Sequence, residues 1–144
     1  MEENKIGKST FCGLDENKAA ALAALLPLII SFVPRIGYFC CIVPVIAAIF
    51  ERKSGFVKLC AVQSAFAAVI MTASALGFEL LNSTITDTSN VPFGVSLCGM
   101  VMSLLRVAAL VMLIFIANNS YSKRETDIPY LTALAKKIIK YNEI

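Results

Sequence analysis

Residues 59–81 and 93–117 form two long apolar runs, each with a single charged side chain: Glu79 in the first and Arg106 in the second. No other feature limits the fold so strongly. At 1.5 Å per residue, a helix of either length crosses roughly 30 Å of hydrocarbon. In water both runs would need covering, and the rest of the chain is too apolar to cover them. Hydrophobic residues make up 58% of the 144 and charged residues 16%. Soluble domains run at about 45–50% and about 25%. Lipid is therefore the expected solvent. Trp is absent, so any interfacial aromatic belt rests on Tyr and Phe.

Two shorter apolar segments, 19–33 and 36–50, come first, separated by the stretch PRIG. Pro34 removes a backbone donor, Arg35 is charged and Gly37 is flexible, so one continuous helix over 19–50 is excluded. A hairpin of two short helices is expected, with Asp15 as N-cap of the first. The N-terminal stretch mixes Glu2, Glu3, Asp15 and Glu16 with lysines, unlike the n-region of a cleaved signal, so the first apolar run is expected to be retained. The expected fold is all-α: a bundle of four short transmembrane helices over 19–119 and a C-terminal amphipathic helix. Residues 1–18 and 120–144 are then cytoplasmic. The alternative has three spans, with the first two segments as a re-entrant or interfacial hairpin.

Charge supports four spans. With both termini cytoplasmic, the inner side holds Lys5, Lys8, Lys18, Arg52, Lys53, Lys58, Lys123, Arg124, Lys136, Lys137 and Lys140, or 11 of the 13 basic residues. The outer side holds Arg35, and the loop NSTITDTSNVP has no basic residue. This is the positive-inside pattern of a multi-pass protein of the cell membrane.

The stretch FERKSGFVKLCAVQS then becomes a cytoplasmic corner. Glu51, Arg52 and Lys53 end one helix, Gly55 reverses the chain, and Phe56 returns to the bilayer edge. Glu51 is expected to pair with Arg52, Lys53 or Lys58 in a wet setting, where a pair is worth about 0–1 kcal/mol. Gln63 and Ser64 lie a turn deeper. Bare amides in lipid are costly, so the Gln63 amide is expected to bond to a neighbouring helix. Ala61–Ala65, Ser64–Ala68–Thr72 and Gly99–Ser103 place small residues at four-residue spacing, which suits close helix approach within the bundle or with a partner. In the tail, Leu131, Leu134, Ala135 and Ile138 share one helical face, and Lys136, Lys137 and Lys140 another. Pro129 suits the first turn. Such a basic amphipathic helix suits an anionic bilayer surface; a soluble tail is the other reading.

Three stretches together resemble a known family: GLDENKAAALAALL, IFERKSGFVKLCAVQS and DIPYLTALAKKI. They are similar to small uncharacterised multi-pass membrane proteins of bacteria and archaea. That family is grouped with the twenty-kilodalton component of the chloroplast Tic translocon. The middle turn is the most specific part, carried by Glu51, Phe56, Val57, Lys58, Ala61, Gln63 and Ser64. Cys60 stands where the family usually has His, so any role of that imidazole is not carried over. The resemblance implies a multi-pass membrane protein and a distant, translocon-like link to protein import.

No catalytic constellation is present. His is absent, and there is no Gly-rich phosphate loop or nucleophile elbow. Glu51 and Glu79 are expected near opposite membrane faces, too far apart to act as a pair. Cys12, Cys40, Cys41, Cys60 and Cys98 form no C-x-x-C pair and suit small apolar positions in helices. No enzyme activity, cofactor or metal is expected. The net charge of +3 follows from topology and does not call for nucleic acid. Two functions remain. One is a scaffold or accessory subunit acting through a protein partner or homo-oligomer in the lipid bilayer. The other is a small oligomeric transporter or channel built on Gln63, Ser64, Thr72, Ser74, Glu79, Ser103 and Arg106. Arg106 is expected to point into the bundle and bond inner hydroxyls or carbonyls such as those of Ala23 and Cys40, freed by Pro27 and Pro44. Glu79 would then be reached only by a stretched side chain or through water. The residue is either a structural tether or a polar site on a substrate path.

Overall fold

Among the described residues every regular element is a helix. The computed structural model describes residues 13–33, 36–52, 54–85, 93–124, 128 and 131–139. The elements are α1 (Glu16–Ser31), a 3-10 turn (Gly37–Phe39), α2 (Ile42–Phe50), α3 (Gly55–Thr84), α4 (Phe93–Tyr121) and α5 (Leu131–Ile139). The expectations for Lys5, Lys8, Cys12, Pro34, Arg35, Lys53, Pro129 and Lys140 lie outside the described residues, as do those for loop 86–92 and the side chains of Leu131 and Ile138.

Among the described residues two helices are long and apolar enough to cross a membrane, Gly55–Thr84 and Val95–Tyr121. A buried core helix of a soluble protein would pass the same test of length, but α4 is not one. Only 22% of its most apolar stretch is buried. Leu97, Met100, Val101, Leu104, Val107, Val111, Ile114 and Phe115 are all exposed along it. A helix that is apolar on its uncovered sides wants an apolar surrounding.

The first two segments are shorter. At 1.5 Å per residue, the 16 residues of α1 reach about 24 Å and the 9 of α2 about 14 Å, each short of the roughly 30 Å of hydrocarbon. They run as an antiparallel hairpin against α3. Ala20 of α1 shares a buried cluster with Val57 near one end of α3. At the other end the Tyr38 hydroxyl donates to Glu79. From Val57 to Glu79 is 22 residues, about 33 Å of helix.

Segment 36–50 is not one helix, as the hairpin reading supposed, and the reason lies at its tip. The Gly37 N–H donates to the Val33 carbonyl at 2.8 Å. A Cβ on Gly37 would lie 2.9 Å from the Ser31 carbonyl oxygen, so the chain closes there only on glycine. Pro44 sits in the first turn of α2, where the helix needs no N–H, so it breaks nothing. Gly37→Ala is expected to destabilise the fold by about 1 kcal/mol. A chemical melt in detergent would measure it, and an unchanged midpoint would refute the tight tip.

Small residues set the packing. Ala23 of α1, Ala47 of α2 and Ala61 of α3 meet in one fully buried cluster, so three helices approach to methyl contact. A second cluster joins Cys40, Ala67, Ala68 and Met71 to Ala109 and Leu113 of α4. A third joins Ala19, Ala20 and Ala24 to Val57, Cys60, Ile116 and Ala117. The Ala61, Ser64 and Ala68 strip therefore packs inside the bundle, whereas Ser103 of the Gly99–Ser103 pair is exposed.

Helix ends have local causes. α1 starts directly after Asp15, as expected, but the carboxylate makes no cap bond and pairs with Lys18 at 2.8 Å. α4 stops on a Schellman turn: Arg124 N–H donates to Asn119 O at 2.9 Å and Lys123 N–H to Ser120 O at 3.1 Å. That turn holds Lys123 at φ 56°, a conformation that costs a side chain more than it costs glycine. Lys123→Gly is expected to stabilise the protein by about 0.5–1 kcal/mol. A raised melting temperature in detergent would show it; a lowered one would count against this cap.

Candidate functional site

Polar residues gather at the two ends of the bundle. At the end where α3 begins, the corner 51–64 is folded tightly. Ser54 is the N-cap of α3 and its Oγ accepts from Val57 N–H at 3.3 Å. Glu51 Oε1 accepts from Ser54 N–H at 3.1 Å. A carboxylate at a helix N-terminus is favoured by the macrodipole. Glu51 is 2% exposed, so the wet setting expected for it is corrected: its carboxylate caps the helix start from inside the fold. Gly55 is the first residue of α3 and not the point of reversal, which falls in the extended residues before it. Phe56 is half-buried against the cluster of α1 and α4 alanines. Lys58 is half-buried, with its N–H bonded to Ser54 O at 3.2 Å.

Gln63 is fully buried and its Nε2 donates to Thr132 Oγ1 of α5 at 3.1 Å. Thr132 Oγ1 also accepts from Ile128 N–H at 2.9 Å. Ser64 Oγ donates to Cys60 O at 2.8 Å, within its own helix. Ser120 Oγ donates to Cys60 Sγ at 3.2 Å, and Asn17 Nδ2 to Tyr121 O at 3.3 Å. The corner thus clamps α1, α3, α4 and α5 together.

The α5 face expected is met at Ala135 and not at Leu134. Thr132 and Ala135 are buried against the bundle, while Leu134 is 47% exposed. The docking stripe is 128, 132, 135 and 139, and it could have been found: those positions fall at helical spacing. A single polar Thr within an apolar stripe was the missed signal. Lys137 remains exposed and Lys136 is half-buried.

At the opposite end, a cleft of about 600 Å³ opens between the hairpin tip, α3 and α4, lined by Tyr38, Thr72, Glu79, Asn82 and Arg106 among others. Arg106 is exposed on α4. Among the described residues it makes no hydrogen bond or ion pair. The expected bonds to the Ala23 and Cys40 carbonyls are therefore corrected. The interior beside those carbonyls is filled by alanines and Cys40, leaving no room for a guanidinium. Cys40 itself lies against Ala68 O at 3.9 Å and Thr72 Oγ1 at 3.4 Å. Glu79, expected far above Arg106, lines the same cleft, with Tyr38 as its partner. Neither Tyr38 nor Asn82 stood out in sequence, because the hairpin fold alone brings 38 to 79. Glu51 and Glu79 lie at opposite ends of α3; Gly55 to Glu79 alone is 24 residues, about 36 Å.

Among the described residues no group of three or more metal-ligating side chains gathers. No family model, no curated protein and no solved structure matches this chain.

Proposed function

We propose that this is a multi-pass integral membrane protein that works by association, as a scaffold or accessory subunit of a membrane complex. The observation that carries it is the filled interior. Three clusters of buried alanines and their neighbours pack the bundle, and Arg106, midway along α4, lies outside them on the cleft. A bundle closed in this way by small side chains leaves its surface as the place to act. The uncovered apolar side of α4 and the exposed Val45, Ile46, Ile49 and Phe50 of α2 offer that surface to lipid and to a partner or second copy.

In this reading the chain crosses the cell membrane four times with both ends cytoplasmic. Lys18, Arg52, Lys58, Lys123, Arg124, Lys136 and Lys137 all belong to the end where α1 and α3 begin and α2 and α4 finish, which supports that orientation. Likeness to the translocon-associated family fits the same picture, with the 51–64 turn as its shared corner. Single cysteines at Thr86 and Ser122, in a background lacking the native five, are expected to be labelled from opposite sides of the membrane. Labelling from one side would reject four spans. Crosslinking followed by mass spectrometry in mild detergent is expected to return a stoichiometric partner or a homo-oligomer; a chain that remains alone rejects the scaffold.

The second reading, an oligomeric transporter, has one observation in its favour: the open cleft with Glu79, Tyr38 and Arg106 on its walls. Solute flux in liposomes holding the purified chain would support it over the scaffold.

A further inference from the structure

The cleft between the hairpin tip, α3 and α4 follows one face of α3. Thr72, Ala75, Phe78, Glu79 and Asn82 line it, together with Tyr38 and Arg106 from the other two elements. The packing of the two long helices fixes the level of each charge. Met102 lies against Gly77, where a Cβ would meet its Cε at 3.2 Å. Ala109 shares a buried cluster with Ala68 and Met71. Arg106, between Met102 and Ala109, is therefore level with the turn that carries Thr72 and Ala75. Glu79 lies seven residues beyond Thr72, about 10 Å of helix rise towards the end of α3 at Thr84. On the other side of Arg106 the interior is filled by Ala68, Leu113 and their cluster. The cleft thus holds a cation at one level and a carboxylate at another, with Ala75 and Phe78 on the wall between them.

Neither charge is fully matched by the fold. Arg106 is exposed and makes no hydrogen bond or ion pair among the described residues. Glu79 accepts the Tyr38 hydroxyl, and a carboxylate has about four acceptor sites, so one bond does not exhaust it. A guanidinium midway along a span needs an anion. A plain anion would share the cleft with Glu79, and a plain cation would share it with Arg106. A molecule that carries both charges, several bonds apart, answers each with its opposite. The volume of about 600 Å³ falls in the range of small-molecule sites, roughly 300–1,000 Å³. We propose that the cleft binds a zwitterionic ω-amino carboxylate. Its carboxylate lies on Arg106, its ammonium on Glu79 beside Tyr38, and its methylene spacer along Ala75 and Phe78. Glycine holds its two charges too close together to reach both. The site rests on the membrane reading above, which makes an unmatched Arg106 costly. It goes beyond both proposed functions, because binding needs only the cleft.

The test is isothermal titration calorimetry on the full chain in an uncharged detergent. The probes are ε-aminocaproate, its singly charged counterparts caproate and hexylamine, and glycine. ε-Aminocaproate is expected to bind about tenfold more tightly than any of the other three, the worth of one charge-assisted contact. Arg106→Gln should erase its advantage over hexylamine, and Glu79→Gln its advantage over caproate. A cooperative melt in the same detergent shows that each variant is folded. Triglycine, which sets peptide groups against Ala75 and Phe78, should bind about fivefold more weakly than ε-aminocaproate. Equal affinity for the four probes, binding of none, or an advantage that survives both charge changes overturns the proposal. So does triglycine binding as well as ε-aminocaproate, because the methylene spacer would then take no part. Alkali extraction of membranes separates the two levels of inference. A chain that stays embedded but shows no preference among the probes loses this site alone, and a chain released by alkali overturns the membrane reading itself.

Discussion

Ala61→Leu is expected to destabilise the protein by about 3 kcal/mol or more, at the upper end of the overpacking range. Ala23, Ala47 and Ala61 have no exposed surface and belong to three different helices. A leucine at 61 must push α1 or α2 away from α3, because the facing side chains are already methyl groups and cannot be shortened further. Ala65, one turn along and only half-buried, is the control: leucine there should cost less than about 1 kcal/mol. Denaturant titration in detergent would measure both. Equal losses at the two positions, or none at either, would mean that the hairpin does not rest on α3 as described.

Gln63→Leu should release α5 with little change to the other four helices. The substitution keeps the volume but removes the donor to Thr132, a buried bond whose loss costs about 1–3 kcal/mol. That free energy raises the undocked fraction of α5 by about one to two powers of ten. Hydrogen exchange over 131–139 is the measurement. Faster exchange there, with protection in α3 retained, is the expected result. Unchanged protection would show that Thr132 and Ala135 hold α5 without the amide. Thr132→Val tests the same bond from the other side and should mimic Gln63→Leu.

The two long helices were legible because length and apolarity alone define a span; the structure only lengthens them, from 59–81 to Gly55–Thr84 and from 93–117 to Phe93–Tyr121. The start of α1 after Asp15 and the small-residue strip of α3 were legible for similar local reasons. Side-chain destinations were not. Glu51 is buried and accepts from the Ser54 N–H, a choice between water and the fold that no local pattern decides. The docking of α5 through Thr132 depends on Gln63, 69 residues away.

Arg106 marks the division most sharply. Sequence alone determined that a guanidinium sits near the middle of an apolar helix and that it needs an acceptor, because the cost of bare charge in hydrocarbon does not depend on the fold. Only the tertiary structure decided where the acceptor can come from. The alanine contacts that let α1, α2 and α3 approach so closely also fill the interior. Arg106 therefore opens onto the cleft, which the hairpin tip completes by bringing Tyr38 against Glu79. Apolar length and charge are properties of a segment and survive in isolation. Which wall a side chain faces is a property of the packed neighbours, and those come from distant parts of the chain.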